Sequence, residues 1–153
     1  MLSVHDNTCS GYRFSGVDRQ LVLETEYPCG SVKEGQRSDI VFDEVWCHHL
    51  ESVQEGNIIF DIEVVDLAQV ENEFRGVFDR LKNYGWPRLE TKDDTLPKVV
   101  ERHQLKVYRI GTSYGLEGFV LAKSVSQTNS EQDAPSNGGQ RSSLNSGFLP
   151  RRG

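Results

Sequence analysis

The chain has 153 residues, 36% of them apolar and 26% charged, and a formal net charge of −6. That length supports one domain with a core of its own, and the acidic balance argues against bulk affinity for nucleic-acid phosphates. No apolar run approaches the ~20 residues that span a bilayer, and the stretch from Met1 to Asp6 lacks the basic and apolar regions of a signal peptide, so a cytoplasmic protein with no membrane contact is expected.

Tyr12-Arg13-Phe14 reads as a first strand, closed by Gly16-Val17-Asp18. The second strand runs from Leu21 to Tyr27, with Leu21, Leu23, Thr25 and Tyr27 on one side and Glu24 and Glu26 on the other. Pro28, Gly30 and Gly35 mark a loop, and Asp39 to Trp46 is a third strand whose bulky residues suit a central position. Glu55-Gly56-Asn57 turns into a fourth, Asn57 to Val64, with Ile58, Phe60, Ile62 and Val64 on one face.

From Asp66 onward the period changes. Leu67, Val70, Phe74, Val77, Phe78 and Leu81 follow the three-and-four spacing of an amphipathic helix. Asp66 is placed to cap it, Gln69 completes a capping box, and Val65 can staple onto Val70. Gly85 permits a left-handed stop and Pro87 prevents continuation. Arg88 to Lys98 reads as irregular. Leu105 to Ile110 and Gly118 to Ala122 form a closing strand pair joined by a glycine-rich turn, Gly111 to Gly115. Beyond Ser124 the chain is polar and aperiodic, so 124–153 is expected to be a disordered tail on a domain spanning 1–123. The expected fold class is α+β: a mostly antiparallel sheet with one long amphipathic helix packed on one face.

Candidate chemistry is sparse. Cys9, Cys29 and Cys47 are too few and too scattered for a disulfide scaffold and are expected to be free thiols. Cys47-His48-His49 is the most metal-like cluster. On a strand, however, Cys47 and His49 share a face while His48 points away, so the triplet supplies two ligands of the four that structural zinc requires. His5, Cys9, Cys29 or His103 would have to complete the set. His5-Asp6 has the form of a phosphohydrolase metal doublet, but it is a lone pair whose ordinary role is a turn. The glycines from Gly111 to Gly118 precede a strand rather than a helix, which fits a hairpin connection better than a phosphate loop. Glu24, Glu26, Asp43, Glu44, Asp61 and Glu63 have the spacing of solvated strand faces.

Four pieces taken in order carry a resemblance: His5-Asp6, Ile40-Val41-Phe42 with Val45, Asn57 to Ile62, and Ser113 to Phe119. Together they resemble small bacterial domains of uncharacterised function, near the kind classed as immunity proteins of toxin systems. The resemblance implies no catalytic residue and no cofactor. It implies a protein partner, a basic toxin in its sharpest form, and Glu24, Glu26, Asp43 and Glu44 are the expected contact residues. The alternative expectation is a metal-binding domain or metal-dependent enzyme using Cys47, His49 and one of His5, Cys9 or His103.

Overall fold

The computed structural model describes residues 2 and 4–130. Eight strands and three short helices follow one another: β1 (Asn7–Ser15), β2 (Gln20–Glu26), β3 (Arg37–Asp43), β4 (Cys47–Glu51), β5 (Asn57–Val65), α1 (Leu67–Glu73), α2 (Arg75–Leu81), α3 (Leu96–Arg102), β6 (Lys106–Tyr114), β7 (Glu117–Ala122) and β8 (Ser124–Ser130). All strand pairs are antiparallel, in the order β4-β7-β6-β5-β1-β2-β3-β8. No helix among the described residues is long and apolar enough to cross a membrane.

The two ends of that order are joined by the chain itself. β3 turns a corner at residues 44–46 into β4, and β7 turns at Lys123 into β8. The corners match: the Lys123 N–H donates to the Asp43 carbonyl at 3.1 Å and the Trp46 N–H to the Leu121 carbonyl at 2.8 Å. The β3–β8 and β4–β7 ladders are therefore two halves of one long antiparallel pair, and the sheet rolls into a barrel. Glu44 takes the bend in a left-handed conformation, φ 50°. Leu21, Leu23, Ile40, Phe42, Tyr108, Ile110 and Val120 fill the interior, where the Phe42 and Tyr108 rings meet edge-on at 5.5 Å.

The long helix does not form. The pattern from Asp66 to Leu81 is divided at Phe74 (φ −103°, ψ 27°) into two seven-residue helices, with a 3-10 turn at Lys82–Tyr84 after the second. At the break the Val77 N–H donates to the Phe74 carbonyl, a tightened three-residue turn. Two features favour the break. Gly76 is a poor helix former, worth ~1 kcal/mol against Ala, and Glu73 is pulled to β6 by the Arg109 Nε, which donates to both carboxylate oxygens at 2.9 and 3.1 Å. The apolar stripe still lands on the sheet. Val70, Phe74 and Val77 are buried against Phe119, Leu121, Val107 and Cys47. Asp66 occupies the N-cap position but makes no side-chain cap bond. Gly85 does end the segment in the left-handed region, φ 75°.

Three elements differ from the expected string. β4 continues the third strand beyond Trp46. α3 lies within and beyond the stretch read as irregular, and its two buried anchors, Leu96 and Val99, are too few to register as a period. β8 occupies the first seven residues of the expected disordered tail and pairs with β3 from Asp43↔Ser124 to Arg37↔Ser130. A polar strand is stable there because its partner supplies the ladder and Val125 reaches the interior. The remainder of the expected tail, 131–153, lies outside the described residues.

Candidate functional site

The acidic residues singled out in the sequence lie in two groups at opposite ends of β2, and most are engaged by neighbouring side chains. Glu24 accepts from Arg13 Nη1 at 2.6 Å and pairs with Arg37 Nη2 at 3.1 Å. Asp43 accepts from Gln20 Nε2 at 2.9 Å. Glu44 lies 3.4 Å from Arg19 and 3.6 Å from Lys123. Glu26 is exposed and has no ion pair among the described residues.

Cys47 and His49 share the face of β4 that the helices cover, as the strand geometry predicts. Burial pushes the Cys47 thiol up to about 12, which keeps it protonated and poorly nucleophilic. His49 Nε2 lies 2.9 Å from Glu51, and its ring packs against Phe74 and Phe119. His48 faces the other way, against Phe14 at 4.7 Å, and burial followed by the neighbouring His49 lowers its pKa. Cys9 is buried in the barrel, which pushes its thiol up to about 11, while Cys29 is exposed. His5 is on β5's flank, three strands from β4 in the sheet. Among the described residues no group of three or more His, Cys, Asp or Glu side chains converges as a metal would require.

The most developed surface feature is one that sequence reasoning missed. β5 pairs with β1 only through Asn57, Ile58 and Ile59, because β1 begins at Asn7, just after a turn closed by the Asn7 N–H on the Val4 carbonyl. From Phe60 onward this edge of β5 is flanked by N-terminal residues. His5 Nδ1 lies 3.3 Å from the Phe60 carbonyl, and the two rings meet at 4.7 Å. Leu2 and Val4 pack onto the barrel core. A cavity of about 580 Å³ remains, with Leu2, Val4, Phe60 and Ile62 as apolar wall and Asp61 and Glu63 beside them.

Two register shifts in the β5–β6 ladder, around Ile59, shape this slot. They turn Ile59 fully inward and leave Phe60 47% exposed, so the expected shared face of Ile58, Phe60, Ile62 and Val64 is broken. Val64, opposite the buried Tyr108, is 62% exposed because the barrel wall is open at that level. Asp61 Oδ1 is buried against Gly111, where any Cβ would collide with it, and it accepts no hydrogen bond from the described residues. Arg109 is the nearby cation. Its pKa is raised first by the Glu73 bond and then, more weakly, by the charges of Asp61 and Glu63, the latter its partner across the ladder. The flank of the slot carries excess negative charge.

A second depression, about 350 Å³, lies between α2 and the segment before α3, over Phe78, Trp86 and Leu96. Its rim is mixed, with Glu71, Lys82 and Arg88. The available sequence signal for the first slot was the apolar pair Leu2 and Val4. Nothing local revealed that β1 starts too late to cover β5. No family model matches the chain, and a search of curated proteins finds no match.

Proposed function

We propose that the chain is a non-enzymatic interaction domain whose partner is a basic protein, with neutralisation of a toxin as the sharpest form of that role. The observation that supports it is the slot beside β5, where half-exposed Phe60 adjoins the carboxylates of Asp61 and Glu63 and Val64 is exposed further along the same strand. Large apolar side chains supply the desolvated centre of an interface, and a charged flank steers a partner of opposite sign. The overall charge of −6 acts in the same direction at longer range. Glu24, Asp43 and Glu44 are poorer contacts than their sequence suggests, because each would exchange an existing partner for a new one. Glu26 remains available.

The test is co-purification with the products of neighbouring open reading frames, together with co-expression against the toxicity of each. A basic neighbour that binds, and whose toxicity is relieved, is the expected outcome. Absence of both binding and rescue for every neighbour would end the reading.

A further inference from the structure

We propose that the partner contributes an extended basic segment that adds as a strand to the free edge of β5, with a lysine or arginine side chain in the cavity beside Glu63. This rests on the interaction reading above and specifies its mode. Beyond the Phe60 carbonyl, which His5 engages, the edge from Asp61 to Val65 is five residues, roughly 17 Å, the length of an ordinary strand. A strand edge exposes alternate unpaired N–H and C=O groups and is a ready template for another chain. Among the described residues no strand pairs with this edge beyond Ile59, and His5 engages the Phe60 carbonyl alone.

The cavity adds side-chain selectivity. Leu2, Val4 and Ile62 suit the methylene stem of a long cationic side chain, and Glu63, which also lines the cavity, offers a carboxylate for its charged end. An anionic segment would meet Asp61 and Glu63, which line the cavity, while the nearby Arg109 is already held by Glu73. The same charges disfavour a second copy of this chain. An edge-to-edge β5 pair would bring two identical sets of carboxylates together, and like charges across strands are destabilising.

The test uses two short synthetic peptides, one alternating lysine with valine and one alternating glutamate with valine. Binding is followed by calorimetry and by backbone amide exchange. The lysine peptide is expected to bind, to slow exchange within 61–65, and to weaken as salt is raised. Glu63→Lys should reduce its affinity by about tenfold, and Glu63→Gln by less, at an exposed position where the fold is readily verified by circular dichroism. The proposal is overturned by equal binding of both peptides, by no binding of either, by protection only outside 61–65, or by concentration-dependent protection of 61–65 in the protein alone. A neighbour-encoded partner that binds the Glu63→Lys chain as well as the parent, leaving exchange at 61–65 unchanged, would retain the interaction reading and end strand addition. Binding of the lysine peptide at 61–65 with no neighbouring partner would do the reverse.

Discussion

The helix-covered side of the sheet and the barrel wall at β5 are closed by different means, and only one closure is complete. Over β4, β7 and β6, Phe119 is fully buried, with Phe74, Phe78 and Trp86 ring centroids at 5.2, 5.5 and 6.1 Å. Short helices make poor lids unaided, so this layer is tethered. Glu73 is tied to Arg109, and Arg102 forks onto Asp94 at 3.0 and 3.1 Å. Trp46 Nε1 donates to the Arg88 carbonyl at 2.8 Å, and the Trp46 ring stacks on His103. At β5 the wall depends on strand pairing alone, and the pairing ends where β1 begins. A ladder covers only the length its neighbour provides, whereas side-chain tethers can be placed wherever a lid is needed. The open surface therefore appears at a mismatch in strand length.

The sharpest way to break the covered side is Phe119→Ala. Removing the ring that Phe74, Phe78, Trp86 and His49 surround should cost ~4 kcal/mol, measured by denaturant unfolding. A loss near 1 kcal/mol would mean the helix layer collapses into the space. The barrel seam comes next. A chain ending at Lys123, compared with one ending at Ser130, loses the β3–β8 ladder and the contact of Val125, and should be less stable by about 3 kcal/mol. Equal stability of the two chains would show that β8 is not part of the closure.

Gly111→Ala probes the boundary between the two regions. Its Cβ would displace the Asp61 carboxylate, at an expected cost of ~1–2 kcal/mol. Gly111→Ala combined with Asp61→Ala should recover much of that loss. Failure to recover would place the strain in the backbone. Acidification is a gentler probe of the β1–β4 contact. His48 has a lowered pKa in the fold, so the unfolded chain takes up its proton first, and stability falls as pH drops below 6.5 toward the folded value. Asp94 and Glu90 are held low chiefly by Arg102 and lose their contribution only at more acid pH, below the range in which His48 acts. His48→Gln should flatten the melting temperature there; an unchanged slope would assign it to another group. The smallest effect is Asp66→Ala. With no side-chain cap bond to lose, only the charge near the helix start is removed, at a cost of a few tenths of a kcal/mol. A full 1 kcal/mol would show a solution cap.

The sequence was most informative where one element's own pattern decides its place. The change from strand to helical spacing at Asp66, the stop at Gly85, and the inward alternation of Leu21, Leu23 and Thr25 are all present in the fold. It was least informative where another element decides. β8 alternates too weakly to announce itself and exists because β3 needs a neighbour. Phe60 faces outward because of register shifts made jointly with β6. The single long helix expected from its stripe is divided at Phe74, beside Glu73, whose partner is 36 residues away. The acidic residues were legible as acidic, but Arg13, Arg37, Arg19 and Lys123, which answer them, are visible only once the strands are side by side.

The matched corners at Asp43 and Lys123 also bear on how the molecule is made. β3 is synthesised early, yet the strand that covers its edge is the last described one, more than eighty residues later. Until Ser124 to Ser130 emerge from the ribosome, every nascent chain presents a half-built barrel with an apolar strand uncovered. Such long-range pairing is slow to find, and the waiting edge is open to other chains in the meantime. The seam that completes the barrel thus sets the period during which a newborn chain is most exposed to aggregation, and a premature stop within β8 would make that period permanent.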